Sequence, residues 1–70
     1  MMTGKEFENR VKRLGRKTGQ PVQFVRHGKG SHGRLYYGNR FTTLKDRKKE
    51  IGKGLLKAMC SQLGINQDDL

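Results

Sequence analysis

Seventy residues carry 16 Lys and Arg against 6 Asp and Glu, a formal charge of +10, with 31% hydrophobic residues. That length fits one domain spanning residues 1–70, with no room for separate cofactor and substrate domains, and no apolar run approaches the ~20 residues of a membrane span. A single cysteine, Cys60, excludes an internal disulfide framework, and the excess charge points to a polyanionic partner, nucleic acid first.

In chain order, Thr3-Gly4-Lys5-Glu6 fits a capping box, and Phe7, Val11 and Leu14 then recur at the spacing of one helix face. The first helix is expected from about Gly4 to a stop between Leu14 and Thr18, before Gln20-Pro21. After Pro21 the period falls to two. Val22–Arg26 reads as a strand, Leu35–Tyr37 as a second and Arg40–Leu44 as a third, with Gly38-Asn39 a tight turn between the last two. His27 to Ser31 is a glycine-rich turn. Helical period then returns with Ile51, Leu55, Met59 and Leu63, widened by Leu56 and Cys60. Gly52 and Gly54 place the start of this second helix near Lys53, and Gly64-Ile65 reads as a Schellman end.

The predicted order is α-β-β-β-α, an α+β fold with a three-stranded antiparallel sheet and two helices on one face. High charge with low hydrophobicity is also a mark of disorder, but the single Pro and the periodic apolar residues favour a folded chain with a small core. The opening residues, MMTGKEFENR, lack the apolar stretch of a signal peptide, so a cytoplasmic location and no membrane are expected.

The charge is not spread evenly. From Asn9 to Lys45 there is no Asp or Glu, whereas residues 44–70 carry four. A surface built for solubility mixes both signs, so this span reads as one continuous positive face. Within it, Gly28-Lys29-Gly30-Ser31-His32-Gly33 matches G-x-G-x-x-G only in letters. It sits between antiparallel strands, no helix follows, and Lys29 precedes Gly30-Ser31 rather than following a glycine as in a P-loop. His27, His32 and Cys60 form no metal-ligand spacing, so neither a metal nor a small-molecule cofactor is expected, and Cys60 reads as a small core residue. The Lys45–Glu50 run reads as a solvated loop that faces phosphate. Tyr36 and Tyr37 point to opposite faces, so one at most is free to stack on a base.

His32 stands where the glycine turn meets the second strand. An imidazole titrating near ~6.5 exchanges protons close to neutrality. In RNA the 2′-OH already lies beside the scissile phosphate, so a protein has to supply only an acid or base and a positive cradle.

These residues carry a resemblance. Lys29-Gly30-Ser31-His32, then Lys49-Glu50-Ile51-x-x-Gly54-x-Leu56, then Met59 to Ile65 ending Leu-Gly-Ile resemble the HicA family of bacterial toxins over nearly the whole chain. The resemblance implies a small mRNA interferase with a fold like the double-stranded-RNA-binding domain, a catalytic histidine in the G-S-H element, and a HicB antitoxin that covers the site. By position, His32 is that histidine, with Gly30 and Ser31 its supporting turn. Many members have a Pro and a second His before the K-E-I segment, where this chain has Leu44-Lys45-Asp46-Arg47.

The expected function is therefore a toxin that cleaves mRNA without a metal, His32 being general acid or base. Lys29, Arg34 and Lys53 are the expected phosphate contacts together with Gly30 and Ser31, and Arg26 and Arg40 rank behind them. The competing expectation is a non-catalytic RNA-binding module of double-stranded-RNA-binding-domain type. A third, an accessory protein for an acidic partner, uses the charge but leaves Gly30-Ser31-His32 without a purpose.

Overall fold

A computed structural model describes residues 2–28, 30 and 32–70. The expected Lys29 and Ser31 contacts lie outside the described residues. The elements run α1 (Gly4–Thr18), β1 (Val22–Arg26), β2 (Gly33–Tyr37), β3 (Arg40–Leu44) and α2 (Lys53–Leu63), with a short 3₁₀ turn, η1, at Gln67–Asp69.

Helix α1 starts where the sequence signals it. Thr3 is extended, and its hydroxyl accepts from the Glu6 N–H at 3.2 Å and donates to the Glu6 carboxylate at 3.3 Å. Gly19, left-handed at φ 76°, ends it and places the stop at the far limit of the predicted window. The apolar stripe Phe7, Val11 and Leu14 is buried as its spacing requires. At the other end of the chain, Gly64 is left-handed, and the Ile65 N–H reaches the Cys60 carbonyl at 3.0 Å, the Schellman geometry expected there.

The strands form an antiparallel meander in the order β1-β2-β3. Pairing of Phe24 with Leu35 and of Leu35 with Thr42 fixes the register. With a period of two, Val22, Phe24, Leu35, Tyr37, Thr42 and Leu44 share one face, and Gln23, Val25, Arg34, Tyr36, Phe41 and Thr43 share the other. The first face meets both helices. Leu35 and Leu44 join Phe7, Val11, Leu56, Met59 and Leu63 in one buried cluster, with Val22, Phe24 and Tyr37 packed on its margin. The second face carries no helix. Strand β2 begins two residues before the expected Leu35, because Gly33 and Arg34 already pair with both neighbouring strands.

The segment before α2 is the exposed loop expected at Lys45, Lys48, Lys49 and Glu50, but its backbone is tied down. Arg47 and Lys49 offer their carbonyls to the Lys5 and Gly4 N–H groups at 2.8 and 3.0 Å, and the Ile51 N–H reaches the Met2 carbonyl at 2.8 Å. The loop thus takes up donors that a helix start leaves without intrahelical partners. Gly4 permits the approach, since a Cβ there would lie 2.7 Å from the Asp46 carbonyl oxygen.

Arg47 also turns inward rather than towards solvent. Its Nε lies 3.0 Å from Oε1 of Glu8, a carboxylate only 2% exposed, while Lys12 holds the other oxygen at 2.8 Å. Neither Arg47 Nε nor Glu8 Oε1 has an aligned hydrogen-bond partner, so their contact is ionic. The guanidinium carbon sits 4.9 Å from the centroid of the Phe24 ring.

Removing one partner of a buried charge is costly, because the other is left poorly compensated. Lys12 remains beside Glu8, so Arg47→Met should cost about 1–3 kcal/mol, and on a domain of this size each kcal/mol lowers Tm by roughly 4–8 °C. A thermal melt checks this, and the double variant Glu8→Leu with Arg47→Met should recover most of the loss. A double variant no more stable than Arg47→Met alone would show that the loss comes from packing rather than charge.

Candidate active site

At one end of the meander β1 and β2 are joined through residues 27–32, and the His27 N–H closes the ladder on the His32 carbonyl at 3.1 Å. The turn needs left-handed backbone, which Gly28 (φ 72°) and Gly30 (φ 85°) supply without side-chain strain. Nothing lies within 4 Å of a Cβ built at either glycine, so these two positions stand clear of the rest of the molecule. Gly33 answers a different demand. A Cβ there would lie 2.4 Å from Cζ of Phe24 and 2.7 Å from the Val25 carbonyl oxygen. The Phe24 ring therefore lies against the backbone of the residue after His32 and fixes where the histidine leaves the sheet.

His27, His32, Gly33, Arg34 and Thr43 line one cleft of about 280 Å³. Both histidines are exposed, and Arg34 opposes Thr43 across the β2–β3 ladder. Of the expected site residues, the structure brings His32 and Arg34 into this cleft. Gly30 lies in the turn beside it, and Lys53 is exposed at the start of α2, outside the cleft.

Arg26 belongs to a second cleft, shared with Lys5, Asp46, Arg47 and Lys48. Arg40 is committed elsewhere. Its Nε donates to the Gln62 carbonyl at 2.9 Å and its Nη2 to the Ser61 carbonyl at 3.4 Å, so it satisfies the last turn of α2.

His27, to which the sequence reading gave no role, lines the same cleft as His32. The signal for it was available: two strands joined by a short loop bring the loop's flanking residues face to face, and both flanks here are histidines. Cys60 is 3% exposed, and burial pushes its thiol above the ordinary 9.0, which leaves it a poor nucleophile. Among the described residues, no three His, Cys, Asp or Glu side chains gather as a metal site would need. No helix among them is long and apolar enough to cross a membrane.

A basic α+β domain with an open three-stranded sheet and a histidine-lined cleft at the sheet's end is the class that these features define. Within it, the chain belongs to the HicA toxin family: the family model described as HicA toxin of bacterial toxin-antitoxin matches residues 4–65, from the start of α1 to the residue that closes the end of α2. No curated protein and no solved structure gives a significant match.

Proposed function

We propose that this chain is the toxin of a toxin–antitoxin pair and acts as an endoribonuclease on mRNA, with His32 in proton transfer. The observation that carries the reading is the convergence of two imidazoles, a guanidinium and a threonine on one cleft at the end of a sheet face without carboxylates. Such a site needs no nucleophile of its own. One imidazole accepts the proton of the 2′-OH as that oxygen bonds to the adjacent phosphorus. The other protonates the 5′-oxygen as the P–O5′ bond breaks. The products are a 2′,3′-cyclic phosphate and a 5′-OH end, so atoms and charge balance without water or metal entering the step. Arg34 faces the charge that builds on the non-bridging oxygens. Lys29, Gly30 and Ser31 in the turn, and Lys53 at the start of α2, contribute phosphate contacts further along the strand. A HicB-type antitoxin neutralises the toxin by covering this cleft, and both partners work in the cytoplasm.

The purified chain tests the reading directly. Incubated with mRNA in EDTA, it should yield fragments that end in 2′,3′-cyclic phosphate. Intact RNA retained with a steep dependence on salt would overturn the catalytic reading in favour of a non-catalytic RNA-binding module. Cleavage that EDTA abolishes would overturn the metal-free step.

A further inference from the structure

The sheet face turned away from the helices is not plain solvated surface. Tyr36 and Phe41 are cross-strand partners whose ring centroids lie 5.5 Å apart, tilted by 43°. Arg34, one step along the same face, holds its guanidinium carbon 4.6 Å from the Phe41 ring centroid. Phe41 is 42% exposed, one of two large hydrophobic residues left open to solvent in the described chain. Gln23, Val25 and Thr43 complete the face, and it carries no carboxylate.

We infer that this face is a stacking platform for the bases of single-stranded RNA, continuous with the histidine cleft through Arg34 and Thr43. The inference rests on the proposed action on RNA and adds the form of the substrate. Side chains on one face recur every ~6.6 Å along a strand, a step that an extended nucleotide chain can follow. His32, Arg34 and Tyr36 lie on that repeat, so a phosphate held at the cleft leaves the next base beside Tyr36 and Phe41. Base faces are available for stacking only in a single strand, since a duplex presents phosphates, hydroxyls and groove edges instead. The stacked guanidinium adds a positive charge at the rim, where the backbone of a bound strand passes. Positive charge with no acidic neighbour suits RNA better than a second copy of this equally basic chain.

The experiment uses the full chain carrying His32→Ala, so that RNA stays whole during titration. Affinities are measured at one salt concentration for a single-stranded oligoribonucleotide, the same backbone without bases, and a duplex of equal length. Phe41→Leu should weaken the single strand roughly five- to a hundredfold and leave the abasic strand and the duplex nearly unchanged. Phe41→Tyr should restore single-strand binding, which separates lost stacking from a damaged fold. Equal weakening on all three ligands, or no weakening on the single strand, would overturn the platform. So would a dimer that Phe41→Leu dissociates without altering oligonucleotide affinity, because the face would then belong to a second copy. Selective loss of single-strand binding together with an inability of the His32-containing chain to cut RNA would leave the platform standing and overturn the endoribonuclease reading.

Discussion

Replacing His32 by Ala should lower the rate of RNA cleavage by about 10²–10⁴-fold, the range over which a positioned acid or base acts. The fold should survive, because His32 is exposed and its recorded hydrogen bond to His27 runs through the backbone, which Ala keeps. The thermal midpoint should therefore stay within a few degrees of the parent protein, and RNA affinity at fixed salt should change little. The comparison that matters is with His27→Ala. If one imidazole takes the proton and the other returns it, each single variant loses a large factor, and the double variant loses far less than their product. Measured single-turnover rates for the four proteins settle this. A His32→Ala protein that cuts RNA at the parental rate would remove His32 from the chemistry.

Phe7→Ala should unfold the protein at physiological temperature. Phe7 is fully buried, at 0% exposure, in the cluster that joins α1 to the sheet. Truncating a buried phenylalanine costs about 3–5 kcal/mol, while a domain of this length has only about 4–10 kcal/mol in total. Circular dichroism should show a thermal midpoint lowered by roughly 12–40 °C, and the urea midpoint at a lower, fixed temperature should fall in step. Phe7→Leu, which keeps much of the volume, should cost considerably less. A Phe7→Ala protein that melts within a few degrees of its parent would show that the core closes around the void, contrary to close packing.

Much of this architecture was legible in the sequence, because the signals that carry it are local. Phe7-Val11-Leu14 and Met59-Leu63 announce helix faces, Val22–Arg26 and Arg40–Leu44 announce strands, and Thr3 and Gly64 mark helix ends through their own backbone chemistry. What escaped depends on distance in space. Arg40 read as a free cation until the sheet carried it to the end of α2, and Arg47 read as part of a solvated run until it met a carboxylate 39 positions earlier. Glu8 gave no local sign of burial, since an acid beside Glu6 on a basic helix looks like ordinary surface. Tyr36 was visible as one of two alternating tyrosines, but its pairing with Phe41 follows only from the strand register. His27 falls between these cases, because its place at the loop's flank was visible and its sharing of one cleft with Arg34 and Thr43 was not.

The closure of the loop after β3 on the start of α1 bears on the order in which the chain becomes a toxin. Thr3 bridges to Glu50, and Met2 to Ile51, so the first helix gains its final anchors only after two-thirds of the chain exists. During synthesis the helix, the hairpin and even the histidine turn emerge before the segment that locks them together, and α2 follows later still. Contacts between such distant positions form slowly, because a long stretch of chain has to be ordered at once. A nascent or truncated chain that stops short of Ile51 thus carries the charge and the histidines without the frame that aims them. Under the activity proposed above, the message being translated is spared while that frame is missing.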